Sequence, residues 1–508
     1  MSPTTSESPR YEPQSYRLSA RDRTGQLLGK STLQLGVLGA AVVIGVLSAM
    51  VRGPMTAGLG VAGALAILGA APGRYRRPLV EQLGALGEYA LAPKVWSAPL
   101  DLLGSGATRP QLPRQMRGLV LHQMTDAKGR SVALVEDTRA GRLSAAVRVS
   151  GRRFALASAE EQDQMLADWA AALTPFGRTG GPVVGVAWTS WASPTRVEAH
   201  RAWMAEVFDP GAPEDAKASY EEVLASTGAQ ASQHDVVVTV TVDLARALRR
   251  PGTKRGPRGA RGARERLELA AATLLREVTL FGERMGAAGL DCTSPLSGQE
   301  LARVLRERLD PSCVARLDDR GRSRSDVAGL VEVANAGPLH CEERRTFWRT
   351  DATLHRALVV AEWPRTPVGS DWMGTFLLDV DCVRLVSVLF EPLDPVASGR
   401  AVEFQMANHE GDVAERTEKR KVVTGQVRRR GENLSRRETQ LLDGHVEFRY
   451  LGLVVVAARD EEALDQASDA VVQAAARCRM ELRALDGQHA RAVVAALPLG
   501  RLAKRTSA

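Results

Sequence analysis

Cysteine is scarce in this chain. Its 508 residues hold five (Cys292, Cys313, Cys341, Cys382 and Cys478), odd in number, dispersed, and without a C-x-x-C pair. That pattern fits reduced thiols better than a disulfide framework and suits a cytoplasmic setting. Metal-ligand spacing is missing as well. The eight histidines are scattered, and the one adjacent pair, His340-Cys341, would point to opposite faces of a strand. No H-E-x-x-H, G-x-S-x-G or Cys/His nucleophile signature is present. The stretch Gly25 to Ser31 has three residues between its glycines, where a phosphate loop has four, and no strand leads into it. Phe376-Leu-Leu-Asp379 and Leu453 to Val456 read as core strands, because nothing is present to hold a nucleotide beside them. The chain is therefore expected to be no ATPase and no enzyme, with no catalytic residue, metal or cofactor. Lysine is also rare: eight of the 67 basic residues, the rest being arginine. Such a bias, with abundant alanine and glycine, reflects codon usage, so arginine content alone does not argue for nucleic-acid binding.

Long uncharged runs are present. Leu33 to Met50 is eighteen residues without a charge, and Met55 to Ala71 is seventeen more. Eighteen helical residues cover about 27 Å, close to the roughly 30 Å of bilayer hydrocarbon. With only four residues between them, the runs are expected to form a transmembrane hairpin. Arg10, Arg17, Arg21, Arg23 and Lys30 precede it, and Arg74, Arg76, Arg77 and Lys94 follow. The positive-inside rule then puts both termini in the cytoplasm, on a two-span protein of the plasma (inner) membrane.

The expected organisation is a flexible cytoplasmic tail (1–30), the hairpin (31–72), and an amphipathic helix with linker (73–114). A first α+β domain (115–248), an Arg-rich loop and helical region (249–345), and a second α+β domain (346–501) follow, then a tail (502–508). Short β-type runs at 119–124, 131–135 and 144–149 precede a helix over 158–173, where Ser158 and Glu161 have capping-box spacing. The pattern predicts further helices at 214–227, 263–288, 297–309 and 461–485. Strands are expected at 182–188, 234–242, 357–362, 375–381, 385–393 and 448–458. Residues 396–444, charged almost all round, read as a long helical hairpin projecting from the body. The fold class expected is α+β: a transmembrane hairpin followed by ferredoxin-like α/β sandwich units.

Two basic clusters stand out. Arg249, Arg250, Lys254, Arg255, Arg258, Arg261 and Arg264, with Arg266 beyond, form a dense patch that could meet lipid headgroups or nucleic-acid phosphate; a solvated loop is the competing reading. Lys419, Arg420, Lys421, Arg428, Arg429, Arg430, Arg436 and Arg437 alternate with Glu415, Glu418, Glu432 and Glu438, as on a salt-bridged or partner-facing hairpin.

The C-terminal third carries a resemblance. Arg437 to Gly444, Tyr450-Leu-Gly-Leu-Val-Val-Val-Ala-Ala, Glu462 to Ala467, Leu485-Asp-Gly-Gln488 and Ala496-Leu-Pro-Leu-Gly500-Arg501 resemble the non-motor N-terminal region of conjugation-type ATPases of type IV secretion systems. In that family a RecA-like motor follows; here seven residues follow Arg501. The N-terminal runs are similar to the small two-span subunit that partners or is fused to such ATPases, as in actinomycete-type loci. The resemblance implies a structural component that docks a separately encoded P-loop secretion ATPase. It would work with other membrane secretion subunits and lipids, as an oligomer within a complex. A type VII secretion component is the alternative, and a membrane-bound transferase a third reading.

Overall fold

The computed structural model describes residues 14–16, 18, 32–50, 61–64, 87–98, 112–126, 128–151, 154–194, 200–201, 204–205, 207, 209, 211–228, 232–248, 259–314, 336–420 and 422–502. In chain order these form α1 (Thr32–Met50), β1 (Val95–Ser97), β2 (Leu119–Thr125), β3 (Ser131–Asp137), β4 (Arg142–Gly151) and α2 (Ala159–Leu173). Then come β5 (Val183–Pro194), α3 (Glu214–Gly228), β6 (Ser232–Asp243), α4 (Leu244–Ala247), α5 (Gly259–Ala287), β7 (Leu290–Pro295) and α6 (Gly298–Leu309). The second part holds β8 (His340–Glu343), β9 (Trp348–Thr350), β10 (Thr353–Glu362), α7 (Gly374–Leu378) and β11 (Val383–Pro392). It continues with α8 (Pro395–Glu418), α9 (Gly425–Leu442), β12 (Phe448–Ala458), α10 (Glu461–Arg477), β13 (Glu481–Ala484) and α11 (His489–Ala496).

All thirteen strands join one sheet, ordered β1-β8-β9-β10-β12-β11-β5-β6-β4-β3-β2, with β13 on β10 and β7 on β4. Every pairing is antiparallel. The sheet is a duplication. β4-α2-β5-β6-α5-β7 and β10-α7-β11-β12-α10-β13 have the same connectivity, and each lays its strands in the order fourth, first, third, second. The second strands, β5 and β11, pair edge to edge, and the register sets Thr189 opposite Ser387. Outward from that pair the row runs through Val237 and Arg148 on one side, and through Leu453 and Val359 on the other. A pseudo-two-fold axis thus passes between Thr189 and Ser387, both with no exposed surface.

Strand side chains alternate between two faces. One face is a single apolar layer across both halves: Ala133, Val135, Ala187, Val237, Leu385, Leu453 and Val455, beneath Leu301 and Leu305 of α6 and Val493 and Val494 of α11. The opposite face has two separate cores. Leu143, Val147, Val238 and Val240 lie under Leu274 and Phe281 of α5. Leu354, Leu358, Val454 and Val456 lie under Leu464 and Val471 of α10 and Phe376 of α7.

The expected fold class is corrected. There are no separate sandwich units, because β5 and β11 fuse the halves into one continuous sheet. No transmembrane hairpin is found, because among the described residues no helix is long and apolar enough to cross a membrane. The first run is helical as α1, Thr32–Met50. Of the second run, 61–64 is helical, and residues 51–60 and 65–71 lie outside the described residues. The expected two-span membrane localisation and transmembrane assignment are therefore not supported by the described residues. Of the region 73–114, expected to hold an amphipathic helix and linker, the described part is helical over 87–91.

Two local expectations change too. Residues 375–381 are not a strand: Gly374–Leu378 is a turn and a half of helix that buries Phe376. The helix expected over 461–485 ends at Arg477, and Arg479 turns at φ +60° to let β13 begin at Glu481.

Candidate functional site

Of the basic patch, Arg249, Arg250, Lys254, Arg255 and Arg258 lie outside the described residues. Arg261 falls in the first turn of α5, and Arg264, one turn later, is exposed and pairs with Glu268 at 2.9 Å. An exposed i,i+4 pair of this kind contributes about 0.3–0.5 kcal/mol, so Arg264 is tied only loosely.

Two buried histidines do structural work. His355 is buried on β10, with Nε2 2.7 Å from the Thr350 hydroxyl and 2.9 Å from the Leu309 carbonyl. His489 on α11 is fully buried, and its Nδ1 accepts from the Ala357 N–H at 3.1 Å, fastening that helix to β10. Burial pushes both imidazoles down to about 4, so both are neutral at pH 7. His340 and Cys341 sit on β8 with Cys341 buried and His340 half-exposed, bonded to Ser97. Among the described residues no group of three or more His, Cys, Asp or Glu is placed to hold a metal ion, and all five cysteines are free.

The residues that carried the family resemblance have a structural role here. Leu497, Leu499 and Leu502 are buried in the layer shared by both halves. The chain reaches it through Gly500 at φ +66°, where a Cβ would collide with Ser144 and Thr241 of the first half. Arg501 donates to the Gln115 and Arg117 carbonyls and lies 3.6 Å from Asp137. The segment after α11 therefore straps the second half onto the first.

The helical hairpin α8–α9 has one main apolar contact line. Among its described side chains only Ser398 and Val402 of α8 and Leu434 of α9 are buried. Asp394 caps α8, accepting from the N–H groups of Val396 and Ala397 at 3.0 and 3.2 Å. At the hairpin base Arg437 forms a two-pronged pair with Glu447 and donates to Gln405 at 3.1 Å. Burial alone would raise the Glu447 carboxyl; the hydrogen bonds and charge of Arg437 hold it below its ordinary value. Phe404 beside Gln405 is 69 % exposed, Val422 at the hairpin tip 80 % and Leu442 at the end of α9 82 %. Arg428, Arg429, Arg430 and Arg436 are exposed, without an ion pair among the described residues.

A cleft of about 350 Å³ opens where β5 and β12 start and β6 and β11 end, so both halves and the hairpin base contribute to it. Its wall includes Arg178 on the loop before β5, Arg246 on α4, Asp394 and Ser398 at the start of α8, Arg437 on α9 and Arg449 on β12. These positions are scattered over 270 residues of sequence, which is why no local motif announces them. Neither a protein-family model nor a curated protein matches the chain.

Proposed function

We propose that the protein is a non-catalytic docking component of a type IV-like secretion or conjugation machine, binding a separately encoded P-loop motor ATPase through the α8–α9 hairpin. The observation that carries this reading is the hairpin surface: Phe404 is largely exposed, and the same helix pair carries Arg428, Arg429, Arg430 and Arg436, exposed and without an ion pair among the described residues. Exposed aromatic and arginine side chains of this kind are the usual anchors of protein interfaces. The resemblance of the C-terminal third to the non-motor region of conjugation-type ATPases supports the same partner. His355 and His489, buried and engaged with backbone and hydroxyl partners, suit a scaffold.

The test is a pull-down of the tagged full-length chain from its native cells, with bound proteins identified by mass spectrometry. Recovery of a P-loop ATPase, lost in a variant carrying Phe404→Ala, Arg429→Ala and Arg436→Ala, is the expected result. A folded, expressed chain that recovers no such ATPase overturns the reading, as does recovery unaffected by the triple variant.

A further inference from the structure

We infer that the cleft between the two halves binds a small phosphate-bearing molecule, a property independent of motor docking. Four guanidinium groups border one open space, and their internal partners differ. Arg178 pairs with Glu277, a carboxylate only 3 % exposed, and Arg437 pairs with Glu447. These two are held in place and their charge is answered from behind the wall. Arg449 reaches Glu391 only at 3.8 Å and stays 57 % exposed. Arg246 is exposed and has no ion pair among the described residues; its neighbour Asp243 accepts from the Arg246 backbone N–H, capping α4. Asp394 also faces the cleft; its Oδ1 caps α8 by accepting from two N–H groups, and its single negative charge answers one of the four guanidinium charges. The least compensated donors are therefore Arg246, without an ion pair among the described residues, and Arg449, whose pair with Glu391 is long and exposed; they face one volume with Arg178 and Arg437 oriented beside them.

Guanidinium forks match phosphate oxygens in pairs, which separates a phosphoryl group from a simple point anion. A volume of about 350 Å³ lies at the lower end of the small-molecule range of about 300–1,000 Å³. It admits a pyrophosphate or a compact organic diphosphate and excludes a large cofactor. Pro392 and Leu393 on the same wall, both partly exposed, give an apolar surface for an organic portion.

The test is isothermal titration of the full chain with pyrophosphate and, separately, with ADP. Arg246→Gln with Arg449→Gln is the decisive variant, since both side chains are exposed; each single substitution serves if the double variant loses its thermal melt. The expected result is saturable binding of at least one probe, weakened tenfold or more by the double substitution and unchanged by Arg264→Gln outside the cleft. Tighter binding of ADP than of pyrophosphate assigns the ligand to organic phosphates, and equal affinity assigns recognition to the phosphoryl groups alone. No binding of either probe at millimolar concentration overturns the inference, and so does binding that survives the double substitution.

Discussion

In the first half of the sheet the connection from β4 to β5 is α2, fifteen residues with a complete capping box at Ser158 and Glu161. In the second half the corresponding connection is α7, five residues without a side-chain cap. The later helices differ likewise: α5 has 29 residues and α10 has 17. Over the first half, Phe281 stacks on Phe176 and meets Trp169 edge-on. Over the second, Trp363 meets Trp372 and Tyr450 at its margin, while Phe376 fills the centre. What the halves share is the strand ladder and its register about Thr189 and Ser387. Backbone pairing across a sheet admits one arrangement per register, whereas an apolar face can be covered by any helix of suitable volume. The duplication therefore survives in topology where it is erased in side chains.

The largest expected effect asks whether the halves unfold together. Phe281→Ala and Phe376→Ala each remove a fully buried ring and should each cost about 3–5 kcal/mol. Because the layer beneath α6 and α11 runs across both halves, either change should shift a single denaturant transition. Two separable transitions, with only one moved by each variant, would split the molecule into independent units.

Acid should expose the next asymmetry. Both histidines pushed down to about 4 serve the second half, on β10 and α11. Their folded values lie below the ordinary 6.5, so the unfolded chain binds the protons first. Stability is full above about pH 6.5, falls as pH drops toward 4, and levels off below. Each histidine contributes a loss on the order of 3 kcal/mol. Chemical denaturation at pH 7 and pH 4.5 checks the sign, and His355→Gln should flatten the slope; an unchanged slope would remove His355 from the account.

The strap that joins the halves comes next. Gly500→Ala forces a side chain at φ +66° into Ser144 and Thr241, costing about 2–3 kcal/mol from backbone strain and overpacking together. Proteolysis after Leu497 should accelerate in this variant if the strap detaches. The smallest effects sit on the axis. Thr189 donates to the Val237 carbonyl at 2.8 Å, whereas the Ser387 hydroxyl is buried with no hydrogen-bond partner. Thr189→Val should cost about 1 kcal/mol and Ser387→Ala close to nothing; equal melting shifts for the two would show that the axis is symmetric in energy as well as in register.

Local chemistry made several elements legible. Ser158 and Glu161 announced α2 to within one residue, and the β-branched run at 234–242 announced β6. The apolar run Phe376-Leu-Leu carried no such information, because a short apolar stretch suits a buried helix turn as well as a strand; here Phe376 packs beneath α10, and the strand starts only at Val383. The run from Glu461 had helical periodicity beyond Arg477, and only pairing with β10 turned its end into β13. In the arginine cleft, Arg178, Arg246 and Arg449 each look like a surface charge in sequence, and Arg437 stands out only as part of the charged hairpin cluster. The dense patch at 249–264 drew attention instead, because proximity along the chain is the only proximity a sequence displays.

The sequence by itself determined which segments alternate, where helices are capped, and that no nucleophile, metal or phosphate-loop motif is present. These are properties of a few neighbouring residues and need no distant partner. The tertiary structure alone decided that two repeats share one sheet, that Leu497 to Leu502 bind one half to the other, and that four distant arginines border a single cleft. Those facts depend on strand register and on contacts between residues hundreds of positions apart, and they arise only once the chain has closed on itself.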